Sequence, residues 1–232
     1  GHTYYAEDGR KELPGWPWNQ ANCGDIDLCG WKRPQSFYRD LFWGVARGPV
    51  IMVHPPTPEG KTVALSIWGW HDVQPSWTWP GREEQTLKVD VYASFDGVEL
   101  FLNERSLGSQ SAGPGADYVA TFAVPYEPGT LRAVGRTAGK PAEEAILQTA
   151  DAPESIHLEA DRRSLNADPN DLAYVTVSAR DAEDRLDPTA EQVLFVTVSG
   201  PGRIAAVANA DPRNTEAYRG NQTRFWRGRC LV

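Results

Sequence analysis

The chain has 232 residues, 41% of them hydrophobic, which is enough for a real core and too many for a disordered chain. Lys and Arg total 23 against 31 Asp and Glu, a formal net charge of −8, and that balance excludes the basic face a nucleic acid or an anionic membrane needs. No run approaches the roughly 20 apolar residues of a membrane span; the most apolar stretch, Leu41 to Val53, is broken by Arg47. The opening GHTYYAEDGRKE is polar, lacks a Met and has no leader-like apolar run, so it reads as a processed, tagged or excised segment.

Residues 1–46 differ from the rest. Aromatics crowd there in irregular order (Tyr4, Tyr5, Trp16, Trp18, Trp31, Phe37, Tyr38, Phe42, Trp43), and Pro14, Gly15 and Pro17 forbid a long helix. One short helix is predicted from Pro34 to Trp43. Proline suits a first turn, Phe37, Tyr38, Leu41 and Phe42 form one apolar stripe, and Gly44 can end it. From Val50 onward the period changes to two. Val63, Leu65 and Ile67, then Leu87, Val89 and Val91, then Val98, Leu100 and Leu102 each alternate with other residues, the pattern of strands with one buried face. Further strands are predicted at Tyr118–Val124, Thr130–Arg136 and Ala145–Thr149, with turn signals at Asp96-Gly97, Asn103-Glu104, Gly113-Pro114-Gly115 and Glu127-Pro128-Gly129. After the small-residue hinge at Ala150-Asp151-Ala152-Pro153, strands are predicted at Ser155–Ala160, Ala173–Arg180, Val193–Ser199, Gly202–Val207 and Thr223–Leu231. The whole reads as all-β: two immunoglobulin-like β-sandwich domains, 47–150 and 151–232, preceded by a loop-rich segment, 1–46, with one short helix.

Several segments carry a more specific signal. GDIDLCGWKRPQSFYRDLFWG (24–44) resembles the end of the catalytic barrel in glycoside hydrolase family 2 enzymes of the β-galactosidase type. WGWHDVQPSWTWPG (68–81) is similar to the start of that family's next β-sandwich domain, and VELFLNERSLG (98–108) and VPYEPGTLRAVG (124–135) to its hairpins. ADRRSLNADPNDLAYVTVSARDAEDRLDP (160–188) and VSGPGRIAAVANADP (198–212) resemble its last immunoglobulin-like domain. One position departs from the family pattern: Glu104 stands where glycine is usual, in a turn that needs positive φ. The resemblance implies a parent enzyme that hydrolyses terminal β-galactosides or a related β-glycoside with retention. It implies catalytic glutamates on barrel strands to which nothing here corresponds, so residues 1–46 would be a remnant of the barrel. The implied partners are a β-galactoside or related carbohydrate, the missing catalytic barrel, and a second copy in a homo-oligomer. No cofactor is implied, and the setting would be a bacterial cytoplasm or periplasm.

Candidate chemistry is sparse. Asp25 and Asp27 are the most tempting carboxylate pair: at i and i+2 of an extended segment they would lie about 6.5 Å apart on one face, a spacing that can hold a water. Their plainer use is to bond loop amides and nearby Lys32, Arg33 or Arg39. Trp16 and Trp18, which the resemblance places near the barrel rim, and the cluster Trp68, Trp70, Trp77 and Trp79 could stack on sugar rings. Such paired tryptophans more often serve as sandwich core or domain interface. His2, His54, His71 and His157 are scattered without a carboxylate or cysteine at ligand spacing, so no metal site is expected. Cys23, Cys29 and Cys230 form no CxxC pair; a Cys23–Cys29 bridge and three thiols both remain open. The leading expectation is a supporting region of a glycosidase, inactive alone. The alternatives are a free-standing carbohydrate-binding module, and a short glycosidase working through Asp25 and Asp27.

Overall fold

A computed structural model describes residues 16–18, 24–65 and 69–232, together with the backbone of 3–7. The described residues are nearly all β with one short α-helix, and they divide into two compact units. The first is built on Trp31–Thr149, with residues 24–27 and strand β1 (Thr3–Glu7); the second on Ala150–Val232, with residues 16–18 and Leu28–Gly30.

The first unit is a β-sandwich. One sheet joins β2 (Val50–Val53), β4 (Thr86–Tyr92) and β7 (Val119–Pro125) in the order β2-β4-β7. The other joins β5 (Gly97–Leu102), β6 (Arg105–Ser111), β8 (Thr130–Thr137) and β9 (Lys140–Gln148) in the order β6-β5-β8-β9. All pairings are antiparallel. A further antiparallel pair joins β1 to β3 (Lys61–Leu65). Ile51, Leu87, Val89, Val91, Phe122 and Val124 from the first sheet meet Val98, Leu100, Leu102 and Leu131 from the second in one core, which also takes in Trp77 and Phe95.

The alternation in β4 reads as a strand with one wet face, but both faces are covered. Leu87, Val89 and Val91 enter the sandwich core, whereas Asp90 and Tyr92 on the other face are also buried. The cover is helix α1 (Pro34–Phe42) and the chain around residues 70–73. Leu41 of α1, Met52 of β2, Val73 and Tyr92 form a second apolar cluster, with Phe37, Tyr38 and Trp70 packed against it. The helix needs this docking, since nine residues are marginal alone in water. It starts at Pro34 and ends at Phe42, with Trp43 as its cap and Gly44 (φ 70°) turning the chain after it.

The β5–β6 hairpin resolves the question at position 104. Leu102 pairs with Arg105, so the turn holds two residues, and both adopt positive φ: Asn103 at 47° and Glu104 at 63°. That is the geometry of a type I′ turn, kept without the usual glycine. Asn103 also clamps the neighbouring hairpin: its Oδ1 accepts from Thr130 N (2.8 Å) and its Nδ2 donates to Pro128 O (3.1 Å). The clamp explains Gly129, because a Cβ there would sit 1.9 Å from Asn103 Oδ1.

The second unit has a sheet in the order β10-β11-β14 (Ser155–Ala160, Val175–Arg180, Arg229–Leu231). It also has an antiparallel pair of β12 (Val193–Phe195) and β13 (Gln222–Arg224). Val177, Ala179, Ala190, Phe225 and Cys230 make a small core. Ile156 and Leu158 stand opposite Ala179 and Val177 on the same sheet face, yet remain 54% and 64% exposed, so the core is closed over β11 and open over β10. The strand predicted over 223–231 is two strands, divided at Arg227 (φ 51°) and Gly228 (φ 75°). The predicted 202–207 strand does not form.

Candidate functional site

Asp25 and Asp27 lie on a short loop folded back on itself. Asp27 N donates to Trp31 O (2.9 Å) and Arg33 N to Asp25 O (2.8 Å), which leads the chain straight into α1. The acids serve this loop. The Asp25 carboxylate forms an ion pair with Arg39 of α1, and Asp27 Oδ1 accepts from Trp31 N at 3.0 Å. Each therefore has a structural partner, and neither is held in a water-excluded site of the sort that acid–base catalysis on a glycoside requires.

The tryptophans separate by environment. Trp77 is fully buried in the sandwich core, donates from Nε1 to Glu127 O (3.0 Å) and lies edge-on to Tyr126, with no face left for a ligand. Trp79 is partly buried against the same core and donates to Ser76 O. Trp70 donates to the Tyr92 hydroxyl (3.0 Å) and tilts against Tyr38 at 5.0 Å between centroids, so it belongs to the cover over β4. Trp18 is half-buried, and Trp16 is 78% exposed. Trp68 and Cys23 lie outside the described residues.

The polar cluster that sequence reasoning missed lies on the outer face of the β2-β4-β7 sheet. Asp90 of β4 pairs across to Met52 on one side and Thr121 on the other. Its carboxylate meets His54 Nε2 at 2.6 Å through Oδ2 and accepts from Thr121 Oγ1 at 2.8 Å through Oδ1, with Lys88 Nζ 3.6 Å away. Burial alone would raise the Asp90 pKa, but the hydrogen bonds with His54 and Thr121, together with the nearby Lys88 ammonium, hold it below the ordinary value. The His71 ring stands 5.3 Å from that of His54. Burial, then His54 and Lys88, lower the His71 pKa, with Asp90 opposing. A buried Asp flanked by an imidazole across the sheet was available as a signal only once the register was known.

The second unit has its own acidic cluster. Asp151, Asp181 and Glu183 bring carboxylate oxygens within 4.8 Å of one another. Arg185 supplies the balancing charge, with contacts of 2.7 Å to Asp181, 3.0 Å to Asp151 and 2.7 Å to Glu183. Burial would raise the Asp181 pKa, but the backbone N–H groups of Arg185 and Asp151 and the Arg185 guanidinium outweigh it and bring the value to about 2. This cluster is a structural knot.

Comparison with known proteins supplies the family. Residues 156–232 match the model described as glycoside hydrolase family 2 C-terminal domain 5, and residues 84–143 match a domain of unknown function, DUF4982. The chain is 32% identical over 227 residues to the beta-galactosidase BoGH2A of Bacteroides ovatus, covering 94% of this chain and 23% of that enzyme. The chain carries the C-terminal region of a family 2 glycoside hydrolase. A solved family 2 member from Bacteroides cellulosilyticus superposes with a TM-score of 0.87 at 38% identity, over 93% of this chain and 28% of that one. A putative beta-glucuronidase of Formosa agariphila is 28% identical over 91% of this chain and 18% of its own length. The chain thus spans less than a third of the length of each of these relatives. In this family 2 region Asp25 and Asp27 are committed to a loop and an ion pair, Asp90 to an imidazole and a threonine, and Asp181 to a salt-bridge network.

Proposed function

We propose that this chain is the supporting C-terminal region of a retaining family 2 β-glycosidase whose substrates are terminal β-galactosides, and that it carries no catalytic residue of its own. The observation behind this reading is the fate of the best carboxylate pair: Asp25 is paired with Arg39 and Asp27 with the Trp31 amide. A retaining glycosidase needs two carboxyls about 5–5.5 Å apart across the glycosidic bond, one free to act as acid and the other as nucleophile. In this role the two units act as immunoglobulin-like sandwiches beside a catalytic barrel, and the exposed Trp16 with Trp18 contributes to the rim of the sugar pocket. They also offer surface for a homo-oligomer.

The galactoside assignment leans on the 32% identity to the Bacteroides ovatus beta-galactosidase, against 28% to the putative beta-glucuronidase. Steady-state hydrolysis of an aryl β-galactoside and an aryl β-glucuronide by the full product of the gene tests it. A higher kcat/KM on the galactoside is expected; preference for the glucuronide would overturn the substrate class and leave the supporting role intact. The exposed Trp16 also favours a second reading, a carbohydrate-binding surface on this chain by itself. Tryptophan fluorescence of the 232-residue protein should then respond to millimolar galactose, and a flat titration disposes of that reading.

A further inference from the structure

The sequence places His54 and His71 seventeen positions apart, with no carboxylate at ligand spacing to either. The fold changes that. Val53 and Gln74 exchange both backbone hydrogen bonds (2.8 and 2.9 Å), which lays the chain before Gln74 alongside the end of β2 and sets the two rings 5.3 Å apart at 58°. We propose that His54 and His71 together bind a divalent transition-metal ion of borderline softness, such as Zn²⁺, with Asp90 orienting His54.

Three observations carry this. First, Asp90 fixes the His54 ring. With Nε2 at 2.6 Å from the carboxylate, the neutral imidazole donates there and its Nδ1 lone pair is left for a ligand. A carboxylate behind a histidine is the usual second layer of a metal site, because it sets the tautomer and raises ligand basicity. Asp90 is rigid enough for this, being only 4% exposed and anchored by Thr121. Second, the ring separation suits one shared ion. With metal–nitrogen bonds of about 2.0–2.1 Å, about 1.1 Å more to each ring centre and an angle of about 109°, two imidazoles on a tetrahedral ion have centroids ~5 Å apart. Third, no hydrogen bond holds the His71 ring among the described residues, and His71 is exposed, so an ion can arrive and water can complete its shell.

Lys88 is the opposing charge. Its ammonium lies 3.6 Å from Asp90 Oδ1, but the side chain is 49% exposed and can swing into water. The bound ion would cross-link the segment around His71 to the end of β2.

The test is calorimetric titration of ZnCl₂ into chelator-stripped 232-residue protein at near-neutral pH, with Co²⁺ absorption as a second readout. One saturable site is expected with a dissociation constant on the order of 10 μM, and a four-coordinate Co²⁺ spectrum. His71→Ala, at an exposed position that leaves the fold intact by circular dichroism, should abolish that site, and Asp90→Asn should weaken it about tenfold. Asp151→Asn, in the acidic cluster of the other unit, should leave it unchanged. Acidification should release the ion as protons compete for the rings. Unaltered binding by His71→Ala, or no saturable uptake at all, would overturn the proposal.

Discussion

Replacing Trp77 with alanine separates the two roles the sequence offers this tryptophan, core packing and sugar stacking. The ring is fully buried, edge-on to Tyr126, and its N–H occupies the Glu127 carbonyl at 3.0 Å. A buried tryptophan removes about 200 Å² from water, and at about 25 cal/mol per Å² that is ~5 kcal/mol. Large-to-small core replacements that include indole cost about 3–5 kcal/mol when measured. The Glu127 carbonyl also loses its donor, a further cost of about 1–3 kcal/mol if water cannot reach it. Trp77→Ala should therefore remove at least ~4 kcal/mol, a large share of the 5–15 kcal/mol typical of a whole domain. Trp77→Phe keeps most of the ring and should lose about 1–3 kcal/mol, chiefly for the orphaned carbonyl. Trp16→Ala, at a residue 78% exposed, should stay within about 0.5 kcal/mol. Urea unfolding followed by far-ultraviolet circular dichroism reads all three, since the first unit supplies most of the strand signal. A loss below about 1 kcal/mol for Trp77→Ala, with the slope unchanged, would refute the placement of this ring in the core.

Asp181→Asn should destabilise the second unit by about 3 kcal/mol, because it leaves the buried end of the Arg185 network without its charge. The Asp181 pKa of about 2 lies below the ~3.9 of an unfolded chain. Its stabilisation is therefore whole above pH ~4 and is lost as pH falls toward 2, so the variant should lose less stability than the parent over that window; parallel curves would contradict it. Glu104→Gly relieves a non-glycine residue at φ 63° by about 1 kcal/mol and gives up an exposed pair with Arg132 worth ~0.5 kcal/mol or less, so a small rise in Tm is expected and a fall would argue against the turn assignment. Burial pushes the Cys230 thiol up to about 12, so peptide mapping after a thiol reagent at mildly alkaline pH should find Cys230 unmodified in folded protein and modified in urea.

The alternating runs were legible because a strand with a wet face writes its period into the sequence. Val98, Leu100 and Leu102 in β5 show it, and Leu87, Val89 and Val91 give β4 the same period although its other face is also covered. Helix α1 was legible from its proline start and apolar stripe. The apolar period does not reveal β6, since RSLGSQS has none; only the hairpin resemblance of 98–108 anticipates it, and the turn at Asn103-Glu104 hands it to β5. The run at 202–207 looks like a strand, but only its end reaches partners, through Val207 N to Tyr218 O and the Ala208–Leu231 bridge. Asp90 is the harder case. In LKVDVY it reads as a solvent-side residue, and its burial becomes affordable only through His54 and Thr121, 36 and 31 positions away. No local pattern encodes that distance. The same holds for the tryptophans, whose spacing on a strand says which face they share and nothing of what covers that face.

The central claim is that this family 2 region supports catalysis performed by residues it does not contain. The most direct measurement is the hydrolysis rate of an aryl β-galactoside by the purified 232-residue protein, freed of host galactosidase and compared with the Asp25→Asn, Asp27→Asn double variant. The account predicts a rate indistinguishable from buffer for both proteins. Turnover by the parent protein that disappears in the double variant would contradict it.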